Sequence, residues 1–230
     1  MAIVVVISPK GGAGKTTVAT HLAVGLARRA PGDVVLVDLD VAFGDVAGAL
    51  LLDPRRHVLD VLDGLPVDDA LRLHPSGLLA LLAPEDDIPD PSTVGPHVPA
   101  LLDRLAERFP TVVVDTGAGL DNVTLAAVGR ATDLVVVGAM DVATLLDLRK
   151  VLRLLDRAGA TATRHLVLNR ADPSLGLDLA DVEGTLGLTV DHVIPLDTEV
   201  ARAVNEGRQV VDVDALVTRL GAGHRAIVTD

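Results

Sequence analysis

A glycine-rich segment with two lysines follows the first apolar run of the chain and has the sequence SPKGGAGKTT, residues 8–17. The preceding run, residues 2–7, is rich in β-branched residues, which is typical of a buried strand. The apolar residues that follow recur at helical spacing from Val18 to Leu26. Because glycines between a strand and a helix N-terminus let backbone N–H groups approach an anion closely, this segment predicts a loop that binds phosphate.

Two side chains of this loop have the chemistry to complete a nucleotide site. Lys15 can reach the β- and γ-phosphates of a nucleotide, and the Thr16 hydroxyl can hold Mg²⁺. The alternative is a glycine-rich turn with two solvated lysines, but strand, loop and helix occur in the order that a phosphate loop requires. The expected nucleotide contacts in the loop are Lys10, Gly11, Gly12, Ala13, Gly14, Lys15, Thr16 and Thr17.

Acidic side chains end two further apolar runs of the chain. Asp38 and Asp40 follow the run 33–37, and Asp115 follows Thr111-Val-Val-Val, a pattern typical of a Walker B element. In an open parallel sheet, ligands bind outside the carboxyl ends of the strands, so we expect these carboxylates beside the phosphate loop. Asp115 would hold the shell of Mg²⁺, and the turn 116–119 is suited to sensing the γ-phosphate.

Composition limits the classes of function. The chain has 230 residues, 49% of them hydrophobic, with 1% aromatic residues and a net charge of −12. Because the chain is acidic and has no aromatic stacking platforms, we do not expect it to bind nucleic acid. Cysteine is absent, which excludes disulfides and thiolate metal sites. We find no signal peptide or membrane-spanning run and therefore expect a cytoplasmic protein.

Apolar runs and helical patterns alternate along the whole chain. Short helices are expected over 50–71, a loop over the proline- and acid-rich segment 84–99, and a helix over 142–157. This alternation predicts a single three-layer α/β/α domain over residues 1–230 with a mostly parallel, twisted sheet. Asp121 is expected to cap a helix rather than to act in catalysis.

The loop with its early lysine, Lys10, resembles that of the ParA/MinD family of dimerising ATPases, which are SIMIBI-type P-loop NTPases. The resemblance implies ATP and Mg²⁺ as cofactors and an ATP-dependent homodimer in which Lys10 reaches the nucleotide of the other subunit. It also implies slow, partner-stimulated hydrolysis, with Asp40 orienting the attacking water and Asp38 near Mg²⁺. The chain departs from the general pattern at Pro9, where glycine is usual, and at Gly117, where proline is common.

The same resemblance implies that the base contacts lie late in the chain. Asn169 matches the position that contacts the purine, and Arg170 follows it in the segment Asn-Arg-Ala-Asp. That segment also resembles the element by which GTPases recognise guanine, so the residues alone leave GTP open. Pro195 and Asp197 resemble the base-side loop of the family.

The segment Phe43-Gly44-Asp45, together with a later Leu-Leu-Asp-Pro-Arg, resembles the CpaE/TadZ branch, which serves Flp (Tad) pilus assembly. This implies pilus or secretion assembly proteins as partners and recruitment to the inner face of the cell membrane through them. Such proteins commonly carry an N-terminal receiver-like domain, and this chain starts at the ATPase strand. The alternatives are a MinD/ParA-type positioning ATPase and a nucleotide-binding scaffold without turnover.

Three further features allow two interpretations each. Phe43 is either a core anchor or a partner contact. The basic residues of the helix 142–157 form either a solvated face, which we favour, or a patch for a partner or nucleic acid. The final helix, predicted over 212–220 with Arg219 as its only base, is expected to pack on the domain rather than to bind membrane directly.

Overall fold

Parallel strands form the centre of the computed structural model, which describes residues 1–85, 89–172, 174 and 176–225. The strands are β1 (Ala2–Ile7), β2 (Val34–Leu39), β3 (Arg72–Leu73), β4 (Leu79–Leu81), β5 (Thr111–Thr116), β6 (Asp133–Gly138), β7 (Thr163–Ala171) and β8 (Val190–Pro195). They form one sheet in the order β3-β4-β2-β5-β1-β6-β7-β8. Every pairing is parallel except that of β3 with β4, so the predicted mostly parallel sheet is confirmed.

Helices cover both faces of this sheet. They are α1 (Lys15–Arg29), α2 (Val46–Leu50), α3 (Val58–Leu62), α4 (Val67–Ala70), α5 (Pro91–Val94), α6 (Val98–Arg108), α7 (Asn122–Val128), α8 (Val142–Arg157), α9 (Leu179–Leu186), α10 (Thr198–Asn205) and α11 (Asp214–Arg225). The three-layer α/β/α architecture is therefore as the sequence predicts.

Side chains of the central strands point alternately to the two faces of the sheet, and each face carries its own hydrophobic core. In β1, Ile3, Val5 and Ile7 face the core formed with α3, α6, α7, α8 and α9. Val4 and Val6 face the opposite core, which α1, α2 and α11 complete. Because successive side chains of a strand point to opposite faces, a strand that is covered on both sides must be apolar throughout, as β1 is.

The strand order places the predicted site residues at one edge. β5 lies between β2 and β1, with Asp38 opposite Asp115 and Val6 opposite Asp115 in the register. All three strands end at this edge, where residues 8–14 lead from β1 into α1. The fold therefore brings the glycine-rich loop and the strand-end carboxylates together.

Several local predictions need correction. The segment 84–99 is not simply a loop, because α5 and a 3₁₀ turn at Gly95–His97 lie within it; Asp86 and Asp87 fall outside the described residues. Helix α9 and the short strand β3 were not predicted. Phe43 is 77% exposed, which rules out the core-anchor interpretation.

The C-terminal helix α11 packs on the domain, as predicted, but it continues to Arg225 and thus contains a second arginine beyond Arg219. Its side chains Leu216, Val217 and Leu220 are buried in the core shared with α1. Among the described residues, no helix has the length and apolar character needed to cross a membrane.

Packing of α11 can be tested by the substitution Leu216→Ala. Leu216 is 1% exposed, so its truncation should lower the free energy of unfolding by about 2–5 kcal/mol. The exposed Ala215 on the same helix provides a control, and Ala215→Ser should change the free energy of unfolding by no more than about 0.5 kcal/mol. Urea unfolding measures both; equal stability of the two variants would mean that α11 does not pack as described.

Candidate phosphate site

The glycine-rich loop leaves the first backbone N–H groups of α1 available. Gly12 and Gly14 have positive φ values of 77° and 89°, a conformation that favours glycine. Gly14 occupies the N-cap position, where no side chain accepts a hydrogen bond, and the first turn contains no acidic residue. Because the first turn of α1 carries no side-chain cap and no acidic residue of its own, an anion can bind to its N–H groups.

Gly14 is also required by a contact with β7. A Cβ at this position would overlap the side-chain amide of Asn169, which donates a hydrogen bond of 2.9 Å to the carbonyl oxygen of Ala13. Asn169 is 5% exposed, and its Oδ1 accepts a hydrogen bond from the backbone N–H of Arg170. The predicted base-contact residue thus also holds the phosphate loop against the end of β7.

Asp115 lies fully buried beside the start of α1. Neither of its carboxylate oxygens has a hydrogen-bond partner of normal geometry among the described residues. Burial raises the pKa of Asp115 to about 7, and the nearby Thr16 hydroxyl and Lys15 ammonium group offset this only in part. An unpartnered buried carboxylate is unfavourable, so this site favours a cation close to Asp115.

The donor set at this position fits Mg²⁺. Thr16 and Asp115 offer the hard oxygen ligands that Mg²⁺ prefers, with Asp38 on the neighbouring strand. In the described part of the chain, no three carboxylate, histidine or cysteine side chains form a metal cage. Mg²⁺ at nucleotide sites typically binds one or two protein ligands together with phosphates and water, so no such cage is needed.

Asp38 organises the loop that follows β2. It is completely buried, and its two oxygens accept hydrogen bonds from the backbone N–H groups of Asp40 at 3.0 Å and Val46 at 3.2 Å. Burial raises the pKa of Asp38, and the negative charge of Asp115 raises it further. A Cβ at Gly44 would lie 2.5 Å from Asp38 Oδ2, so the loop can close over this carboxylate only with glycine there.

Asp40 lies half-buried at the mouth of the site. Its Oδ1 accepts a hydrogen bond from the backbone N–H of Phe43 at 3.3 Å, and burial raises the pKa of its carboxyl. The turn after β5 lies close by, since a Cβ at Gly117 would be 3.5 Å from Asp40 Oδ1. Gly119 in that turn donates a hydrogen bond to the Ser8 carbonyl, which connects the turn to the phosphate loop.

Lys10 does not point freely into solvent. Its ammonium group lies 2.7 Å from Asp147 Oδ2 on α8, and Lys150 lies 2.8 Å from the other oxygen of the same carboxylate. The hydrogen bond from Lys10, followed by that from Lys150, lowers the pKa of Asp147 to about 2. Sequence reasoning missed Asp147 because nothing in the pattern of α8 distinguishes it from an ordinary exposed acid.

Comparison with known proteins identifies the family of this fold and loop. Residues 4–210 match the family described as the CobQ/CobB/MinD/ParA nucleotide binding domain. The chain belongs to this family. The septum site-determining protein MinD of Helicobacter pylori is 30% identical over 235 residues, which cover 93% of this chain and 85% of that protein.

Two solved structures support the same fold. The cell division ATPase MinD of Pyrococcus furiosus has a TM-score of 0.80 at 27% identity, with 90% of this chain and 89% of that chain covered. The MinC:MinD cell division complex of Aquifex aeolicus gives a TM-score of 0.82 at 23% identity, with 96% of each chain covered. The ParA/MinD resemblance is thereby confirmed, whereas these matches do not single out the CpaE/TadZ branch.

The remaining predicted residues of this ParA/MinD-family site lie at the ends of β7 and β8. Arg170 is exposed with a positive φ of 52°, and Pro195 is aligned with Ala171 in the register. Asp197 is exposed, and its Oδ1 accepts a hydrogen bond from the Glu199 backbone N–H at the start of α10. Of the base-side residues, Asn169 makes a hydrogen bond to the phosphate loop.

Gly14→Ala tests the loop conformation without any ligand. An L-residue at φ 89° and the overlap with Asn169 should lower the free energy of unfolding by about 1–3 kcal/mol. Gly11→Ala is the matched control, because a Cβ there has only an ordinary contact of 3.9 Å, with Ala118. Urea unfolding should show Gly11→Ala close to wild type; a loss of stability as large as that of Gly14→Ala would refute this geometry.

Proposed function

We propose that this chain binds ATP with Mg²⁺ and works as an ATP-dependent dimerisation switch of the MinD/ParA positioning type. The observation that carries the proposal is the arrangement at the start of α1. There an uncapped helix N-terminus, the buried Lys15 and the unpartnered Asp115 lie together, as binding of a magnesium–phosphate group requires.

Each residue of the loop has a defined role in this proposal. The backbone N–H groups from Gly11 to Thr16 bind phosphate oxygens, and Lys15 neutralises charge on the β- and γ-phosphates. Thr16 and Asp115 hold the metal, which, when bound, neutralises the charge that develops on the phosphate oxygens. Asp38 stays a predicted member of the metal shell, and its hydrogen bonds give it a second role in fixing the loop 40–46.

Asp40 is the proposed residue for orienting the attacking water. It is half-buried, so its carboxylate can contact both the site and solvent, and the turn containing Gly117 lies beside it. The same turn is hydrogen-bonded to the phosphate loop through Gly119 and Ser8. A change at the γ-phosphate can therefore alter the turn and the position of Asp40 together.

Dimerisation requires Lys10 to change partner. By its resemblance to the early lysine of the family, Lys10 would neutralise phosphate charge in the neighbouring subunit. To do so it must leave Asp147. The ion pair is solvent-exposed and therefore weak, so a nucleotide phosphate can compete for this lysine.

The positioning role has better support than the pilus role. The relatives matched above are MinD proteins, which are named for septum-site determination and cell division. The pilus-assembly hypothesis rests on the segment Phe43-Gly44-Asp45 and the short stretch after it. The MinD/ParA alternative therefore has better support than the CpaE/TadZ role, and we favour it.

Several finer expectations stay predictions. They include a cytoplasmic location with recruitment to membrane through partners, and preference for ATP over GTP. Little direct binding to lipid or nucleic acid is likewise expected from the net charge of −12. Phe43 is accessible and lies near Asp40, so it remains a candidate partner contact.

Phosphate release and sedimentation with ATP and Mg²⁺ test the switch. Lys15→Ala should lower the turnover rate by roughly 10²–10³-fold, because it removes a charge that stabilises the transition state. Lys10→Ala should stay monomeric with ATP, whereas Asp40→Ala should remain dimeric for longer than wild type because hydrolysis is slowed.

Lys150→Ala is the matched control, since Lys150 binds the same carboxylate as Lys10 but lies outside the loop. It should dimerise as wild type does. Equal dimerisation of Lys10→Ala and wild type would contradict the cross-subunit role of Lys10. ATP-dependent dimers without phosphate release would support a scaffold that lacks turnover.

A further inference from the structure

The outward side of α8 combines basic and apolar side chains in a single stripe. At 3.6 residues per turn, its members fall within an arc of about 140°. We call this stripe the outer α8 face, and it consists of Val142, Ala143, Leu146, Arg149, Lys150, Arg153, Leu154 and Arg157. The opposite side of the helix faces the core through Leu145, Leu148, Val151, Leu152 and Leu155.

The apolar members of the outer α8 face are well exposed. Val142 is 60% exposed, Leu146 is 42% exposed and Leu154 is 50% exposed. A solvated helix face needs no large apolar residues, and single exposed ones are common. Three on one stripe, interleaved with arginines, are more typical of a contact surface.

The three arginines have no carboxylate partner within the described residues. The acids of the same helix are engaged elsewhere, because Asp147 pairs with Lys10 and Lys150, and Asp156 pairs with Arg164 of β7. The C-terminal end of the helix dipole favours basic residues in the last turn, which accounts for Arg157 but not for Arg149. Unpaired positive charge is thus concentrated here in a chain of net charge −12.

We propose that the outer α8 face binds an acidic amphipathic helix of a partner protein. The face is a linear stripe about 24 Å long, the length of a 16-residue helix, so it fits another helix that packs along it. Carboxylates on the partner would pair with Arg149, Arg153 and Arg157, and its apolar residues would cover Leu146 and Leu154. Bidentate pairing of arginine with carboxylate gives the contact its orientation.

Two other negatively charged ligands, a DNA duplex and an anionic bilayer, fit the outer α8 face less well. A DNA duplex or an anionic bilayer extends far beyond one helix and would lie against the acidic remainder of the surface, which repels it. The phosphates of a DNA duplex also make no use of the exposed leucines. A short acidic helix contacts only this stripe and uses both of its chemistries.

This proposal goes beyond the nucleotide switch and does not depend on it. The assay is therefore run without nucleotide, so that its result is independent of ATP binding or turnover. The probe is a fluorescent peptide of Glu, Leu and Ala, with Leu at i, i+4 spacing on one side and Glu on the flanks. A scrambled peptide of the same composition, a short DNA duplex and vesicles containing phosphatidylglycerol are the comparison probes.

Fluorescence anisotropy should show binding of the amphipathic peptide to the wild-type chain, with an affinity that falls as salt is added. Arg149→Glu/Arg153→Glu and, separately, Leu146→Ser/Leu154→Ser should each raise Kd by about tenfold or more. The matched control is Arg28→Glu/Arg104→Glu, which changes the same charge at exposed arginines outside α8 and should bind as wild type does.

All these substitutions are at exposed positions, so circular dichroism and the unfolding midpoint should stay at wild-type values. The proposal is overturned if the wild-type chain does not bind the amphipathic peptide, or binds the scrambled peptide equally well. It is also overturned if the α8 variants keep full affinity, or if the DNA duplex or the vesicles bind to this face more tightly than the peptide does.

Discussion

The buried carboxylates at the ends of β2 and β5 are the constraint on which the site depends. Asp38 and Asp115 are opposite one another in the register and are both fully buried, so their charges repel each other in a medium that screens poorly. The negative charge of Asp38 is stabilised by hydrogen bonds from two backbone N–H groups of the loop that follows it. Among the residues that the structure describes, Asp115 has no such partners, which makes a bound cation the simplest way to stabilise both acids.

The rest of the fold serves to hold this arrangement in place. Strand β1 is apolar throughout, and β2 and β5 are apolar over residues 34–37 and 112–114, directly before their buried aspartates, because both faces of the sheet are covered by helices. Their carboxyl ends are therefore rigid, while the segments that follow them are connected by a few hydrogen bonds. Rigid strand ends with loosely connected loops are what the proposed switch needs, since the site stays formed when the loops move.

Local chemistry made part of this site predictable from sequence. The glycine-rich loop and the strand-end aspartates can be recognised because the residue types and the strand–loop–helix order are both specific. The helix cap at Asp121 was predicted for a similar reason, and its Oδ1 accepts a hydrogen bond from the Thr124 backbone N–H. The parallel sheet follows from alternation of strands and helices along the chain.

Contacts between distant segments could not be predicted in this way. The pairing of Lys10 with Asp147 and the hydrogen bond from Asn169 to Ala13 join parts of the chain that lie far apart in sequence. Helix α5 was missed because Pro91 reads as a loop signal, although proline is well suited to the first turn of a helix. The exposure of Phe43 likewise depends on how its loop closes over Asp38.

The most direct test of the account is calorimetric titration of the protein with ATP in the presence of Mg²⁺ and in the presence of EDTA. We predict ATP binding that becomes at least about tenfold weaker without Mg²⁺, because Asp115 then repels the triphosphate. An affinity for ATP that is the same with and without Mg²⁺, or no binding in either case, would contradict it.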